Sequence, residues 1–222
     1  MTARSYGQYC PVAMTLELVG ERWTLLVVRE LLLGPMRFTD LHGALPGIPR
    51  NLLAQRLRDL EEHGLVARRT LPPPAARTVY ELTDTGRGLM PAVAELARWG
   101  LDHLAPPGPD EAVSPATAVL AGLAAHVRPD AAGGAAATYR LDVDGRTFIL
   151  RLADGRFELR PDAGTAPDLA VSVSGATLLR LRLGVESVRG ALAAGRLRFS
   201  SDDPQLASRF LDHFGLTQED AP

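Results

Sequence analysis

Four side chains near the middle of the chain share one kind of chemistry. Arg50, Asn51, Gln55 and Arg58 lie within "PRNLLAQRLRDLEEHG". Guanidinium and carboxamide groups are forked, so each can meet two atoms of a base edge at once. Asn51 and Gln55 suit adenine, and Arg50 or Arg58 suits guanine. Each well-made pair of this kind discriminates between bases by roughly 1–3 kcal/mol. Arg56 lies on a flank, placed to brace the element or to meet a phosphate. Arg68, Arg69 and Arg77 follow in positions suited to phosphates or a minor groove. The plainer alternative is an amphipathic helix whose outer face is only solvated.

Charge alone does not separate the two. The 222 residues carry 24 cations against 26 acids, a net charge of −2, and every cation is Arg. Arg without Lys, with abundant Ala and Gly, is what codon bias in a GC-rich genome produces, so Arg content is no sign of phosphate binding. Position says more. Between Arg37 and Arg77 seven Arg stand against four acids, a local basic surplus in a near-neutral chain. Asp59, Glu61 and Glu62 offset it in the second half of the segment, which leaves the first half as the part suited to enter a groove.

The elements that must hold these residues can be read from spacing. A helix from about Pro49 to His63 puts Leu53, Leu57 and Leu60 on one face and Asn51, Gln55, Arg58 and Glu62 on the opposite one. Upstream, Met14, Leu18 and Val19 suit a short first helix. Trp23, Leu25, Leu26, Val27 and Leu31 suit a second, buried one, stopped by Gly34 and Pro35. Thr39 or Asp40 can cap a third helix with Phe38, Leu41 and Leu45 inward. Short helix, turn, second helix with a polar outer face is a helix-turn-helix. "GLVARRTL" and "TVYELT" are strands around a stiff turn, "PPPAAR", which makes the unit a winged helix. Thr83 or Asp84 caps a last helix with Leu89, Val93, Leu96, Ala97 and Leu101, kinked near Pro91.

The order "YCPVAMTLELVGERWTLLVVREL", "MRFTDLHGALPGIPRNLLAQRLRDLEEHGLV" and "YELTDTGRGLMPAVAELARWG" resembles the HxlR family of bacterial winged-helix transcription factors. The likeness spans about Tyr9 to Gly100. Arg22, in Gly20-Glu21-Arg22-Trp23, replaces a Lys common in the family, and Pro49 replaces a helix-starting Ser. The resemblance implies two-fold dimers on double-stranded DNA. It places the dimer surface on the N-terminal segment and the Leu89–Leu101 helix, where Trp99 is either an interface residue or a core one. It also implies two readings of Cys10, an inert half-buried thiol or a redox sensor. A sensor needs a thiolate favoured by a nearby cation, such as Arg22, or by a helix N-terminus.

Bulk properties agree with a globular protein of one large or two small domains. Hydrophobic residues make up 46% of the chain and charged residues 23%, with one Cys. No apolar run reaches the roughly 18 residues of a membrane span. "MTARSYGQYC" lacks the core of a secretory signal, so the expected location is cytoplasmic. One Cys and scattered His exclude a disulfide framework and argue against a metal site, and no cofactor is expected. The prolines of "HLAPPGPDEAVSP" mark a linker at 105–114, dividing a winged-helix domain at 1–104 from a second domain at 115–222.

That second half reads as an α+β domain with about five strands. "TYRLDVDGRTFILRLADGRFELRP" is three strands joined by Asp-Gly turns, and "DLAVSVS" and "RLRFSS" add two more. Helices are expected at Pro115–Val127, after Ser174, over "VESVRGALAAG" and after Asp203. The stretches "DLAVSVSGATLLRLRLG" and "ALAAGRLRFSSD" resemble the sterol-carrier-protein fold, over about Val113 to Gly215. That resemblance implies an apolar ligand between sheet and helices, lined by Phe148, Leu150, Phe157, Leu178, Leu181, Leu192, Phe199, Phe210 and Phe214. The same residues could equally be a filled core.

Three functional classes follow. A DNA-binding regulator, controlled by an apolar small molecule or by Cys10 oxidation, accounts for both halves. A lipid carrier whose winged helix only mediates interaction accounts for the second. An enzyme is not expected: no phosphate loop or nucleophile motif is present, and Asp202 and Asp203 before a Pro suit a helix cap.

Overall fold

The computed structural model describes residues 5–71, 77–108, 111–128, 136–161, 164 and 166–216. The chain packs as two compact units, Met1–Val93 and Ala94–Pro222. That division falls upstream of the proline-rich stretch at 105–114, of which Pro109 and Asp110 lie outside the described residues.

In the first unit α1 (Pro11–Val19) buries only Ala13 and Val19. Val12, Met14, Leu16 and Leu18 are exposed, so of the three residues that marked this helix in the sequence only Val19 faces inward. A helix apolar nearly all round has two arcs that can turn inward, and here the small one does. α2 (Thr24–Leu32) buries Val27, Val28, Leu31 and Leu32, whereas Leu26 is exposed. Trp23 stands before this helix as its N-cap at φ 78°, a left-handed backbone that a bulky residue seldom adopts. The chain turns there, so the helix starts later than its apolar pattern and its buried arc rotates onto Val28.

α3 (Phe38–Ala44) has Arg37 as N-cap rather than Thr39 or Asp40. α4 (Arg50–Glu62) runs from Pro49 to His63 between its caps. Leu53, Leu57 and Leu60 are at most 1% exposed. Burying each is worth about 1.5–3 kcal/mol, which seats α4 with its polar face outward. Gly64, at φ +67°, takes the left-handed turn that releases the chain into the wing. β1 (Val66–Thr70) and β2 (Thr78–Leu82) pair antiparallel, with Met36 bridged to Tyr80 on the other side of β2. The wing tip, 72–76, lies outside the described residues.

The expected single last helix is two. α5 (Asp84–Arg87) is capped by the Thr83 hydroxyl, which accepts from Gly86 N at 3.1 Å. α6 (Met90–Leu101) then starts afresh, because Pro91 lacks the N–H that a helix interior needs but fits a first turn.

In the second unit Leu101 is buried with Ala121 and Leu179, flanked by Ala97, Val113 and Leu183. The helix expected at Pro115–Val127 is α7 (Pro115–Gly122) followed by a 3-10 turn, Ala124–His126. β3 (Ala137–Val143), β4 (Arg146–Ala153) and β5 (Arg156–Pro161) form a meander. Its two turns, Asp144-Gly145 and Asp154-Gly155, have positive φ at both central residues, the geometry that matches strand twist. β6 (Leu169–Val173), α8 (Gly175–Arg182), α9 (Val188–Ala193), β7 (Leu197–Phe199) and α10 (Pro204–Phe214) complete the unit. The sheet order is β5-β4-β3-β6-β7, with β3 and β6 parallel. Ser174, Ser187 and Asp203 cap α8, α9 and α10. Asp144 also accepts from Gly175 N at 2.8 Å, so a hairpin turn caps α8 a second time. No helix of the described residues is long and apolar enough to cross a membrane.

Candidate nucleic-acid interface

The outer face of α4 carries the forked side chains Asn51, Gln55 and Arg58, and Arg50 stands in its first turn. Arg50 and Asn51 are exposed in the first turn, and Arg58 is exposed two turns on. Gln55 is half-buried. Its Oε1 accepts from Arg58 Nη2 at 2.7 Å, and its Nε2 donates to Asp59 Oδ1 at 2.6 Å. Arg56 turns away from this face. Its Nη1 reaches Asp59 Oδ2 at 3.0 Å, its Nη2 Glu21 Oε2 at 3.0 Å, and its Nε the Arg22 carbonyl at 3.1 Å. With its side chain 13% exposed, Arg56 braces α4 against the junction of α1 and α2.

On the wing Arg68 and Arg69 are exposed and stand opposite Tyr80 and Val79. Arg69 lies 3.3 Å from Glu81. Arg77 is exposed where the chain re-enters β2. The structure thus brings Asn51, Gln55 and Arg58 onto one face, sets Arg50 exposed in the first turn of the same helix, and leaves Arg68, Arg69 and Arg77 on the hairpin. Asp59, Glu21 and the Arg22 carbonyl were not anticipated as partners. Spacings of three and four from Asp59 to Arg56 and Gln55 were the available signal, since such residues are neighbours on a helix. Nothing in the sequence pointed to Glu21. Cys10 is the N-cap of α1, half-buried and a free thiol.

In the second unit Phe148, Leu150, Leu178, Leu181, Phe210 and Phe214 are buried, and Phe157 and Phe199 are half-buried. Leu192 is 41% exposed on α9, outside that group. The aromatics close on one another: Phe210 to Phe214 at 5.0 Å, Phe199 to Phe210 and Phe157 to Phe214 each at 6.1 Å. Tyr139, which the pattern did not single out, sits among them with its hydroxyl 2.7 Å from His213 Nδ1. Burial pushes the Tyr139 hydroxyl up to about 12 and, helped by Arg209, pushes His213 down. This buried pair is therefore neutral at pH 7.

A helix-turn-helix with a two-stranded wing, followed by an α+β unit with a five-stranded mixed sheet, defines a transcriptional regulator with an appended second domain. The chain belongs to the HxlR-like helix-turn-helix family, whose model matches residues 18–107; residues 118–211 match the SCP-2 sterol transfer family. The uncharacterized HTH-type transcriptional regulator YvaP of Bacillus subtilis is 34% identical over 101 residues, 45% of this chain and 94% of that protein. An uncharacterized HTH-type regulator of Mycobacterium tuberculosis is 48% identical over 99 residues, 44% of this chain and 62% of that protein. Among solved structures, the reduced form of YodB from B. subtilis is 31% identical with a TM-score of 0.39, covering 46% of this chain and 100% of that one.

Proposed function

We propose that this protein is a cytoplasmic, homodimeric, sequence-specific DNA-binding transcriptional regulator. The observation that carries the reading is the outer face of α4: forked polar side chains held outward by a buried leucine spine, inside a domain of this family. One helix fits the major groove, which is about 12 Å wide, and the wing arginines then meet phosphates. Dimerisation is supported within each unit by exposed apolar residues, Val12, Met14, Leu16 and Leu18 on α1 and Leu96 and Trp99 on α6. Two recognition helices then read half-sites about one helical turn apart.

Sequencing the DNA that this protein selects from a random pool tests the reading. Arg50→Ala is expected to flatten one position of the selected site and weaken binding there roughly 5- to 150-fold. Selection of the same site with unchanged affinity would remove α4 from the groove.

The second domain is proposed to hold an apolar small molecule, supported by its family match. Cys10, at a helix N-terminus, is the proposed redox control point. A ligand alters DNA binding only if it binds the competent and incompetent states differently. Mass spectrometry of natively purified protein is expected to show a bound apolar ligand, and an adduct at Cys10 after mild oxidation. A bare mass under both conditions argues against this control.

A further inference from the structure

We propose that Gln55, Asp59 and Arg56 form a positioning chain that makes Arg58 the base-selecting side chain in the middle of α4. The inference rests on the DNA-reading function proposed above and assigns different jobs to residues of the same face.

The carboxamide of Gln55 is held from both ends. Arg58 donates to its oxygen and Asp59 accepts from its nitrogen. Reversing the amide would set N–H against N–H and oxygen against oxygen, so these neighbours fix its orientation. Its oxygen and nitrogen each already serve one partner inside the protein, so its remaining N–H and lone pair are held in the orientation these neighbours set. Asp59 is held in turn by Arg56, which is anchored on Glu21 and the Arg22 carbonyl. The chain thus runs from the α1–α2 junction, beside the left-handed Trp23, across α4 to exposed Arg58.

Two physical consequences favour Arg58 as the reader. An unrestrained Arg loses much rotamer freedom on binding, and one already held by Gln55 loses less. It uses one N–H on Gln55 and keeps others of its fork for a guanine edge. Asp59, a carboxylate that would repel phosphates, has its charge offset by Arg56. Arg50 and Asn51, in the first turn, lie outside the chain and read their own positions.

The test selects DNA from a random pool with wild type, Arg58→Ala, Gln55→Ala, Asp59→Ala, Asp59→Asn and Asn51→Ala, each full-length and checked by thermal unfolding. Gln55→Ala and Asp59→Ala should flatten the same base position as Arg58→Ala, each losing about tenfold of its preference, while Asn51→Ala flattens another. Asp59→Asn keeps an oxygen that accepts from Gln55 and should restore part of the preference. Gln55→Ala is exposed to no folding ambiguity of the ion pair and decides the matter if Asp59→Ala unfolds. The inference is overturned if Gln55→Ala flattens a position of its own, or leaves the Arg58 position sharp. If wild type enriches no sequence, the DNA-reading function itself fails, an outcome distinct from either.

Discussion

Operator affinity is expected to fall by about 10³-fold as monovalent salt rises from about 50 to about 200 mM. Arg68, Arg69 and Arg77 are exposed on the wing, and in the proposed two-fold dimer they would supply about six phosphate contacts, each releasing condensed counterions. The chain as a whole is slightly acidic, with a net charge of −2, so the steepness must come from this patch rather than from overall attraction. The double variant Arg68→Ala, Arg77→Ala removes about four contacts per dimer. It should flatten the slope of log affinity against log salt by roughly 3 to 4. Fluorescence anisotropy across a salt series reads both. A slope near zero for wild type would end DNA binding as the main activity, and an unchanged slope in the variant would remove the wing from the phosphates.

The second large effect lies in the other domain. Arg182→Ala should destabilise the Ala94–Pro222 unit by about 3 kcal/mol and lower its Tm by roughly 10 °C. The Arg182 guanidinium donates to three backbone carbonyls: Gly122 O at 2.8 and 2.9 Å, Gly215 O at 2.9 Å, and Phe214 O. Those carbonyls end α7 and α10, where helices leave acceptors unmatched and favour a positive charge. Burial, with Arg128 adding to it, pushes Arg182 down to about 10, still charged at pH 7. Truncation strands acceptors that each cost about 1–3 kcal/mol when unmet, partly relieved by entering water. Hydrogen exchange should quicken at the ends of α7 and α10 and leave α4 unchanged. A loss below about 1 kcal/mol, or faster exchange in α4, would contradict this role.

The contrast between α4 and Arg182 shows what the sequence made legible. Leu53, Leu57 and Leu60 announced their helix because spacings of four and three have one geometric meaning. The Asp-Gly turns announced theirs because few residues accept positive φ at both central positions. Arg182 could not be found this way: its partners are carbonyls, which every residue has, brought from positions 122, 214 and 215 by tertiary packing. Gln55 was legible as an outward carboxamide, but its engagement by Asp59 and Arg58 depends on rotamers. Met14, Leu18 and Leu26 misled because apolar character does not say which arc of a helix finds a neighbour. Trp23 misled because an aromatic at positive φ runs against backbone preference.

The sheet order sets a timetable for synthesis. β3 pairs with β4 on one side and with β6 on the other, and β7 joins last at Leu197–Phe199. The five-stranded sheet cannot close until that late segment has left the ribosome, and its parallel pairing is intrinsically slow to form. The first unit is complete at Val93, roughly 100 residues earlier. At 5–20 residues per second that is on the order of 10 s. The winged-helix unit of a nascent chain therefore has time to fold, with its α1 residues exposed, before the second unit exists as a folded body.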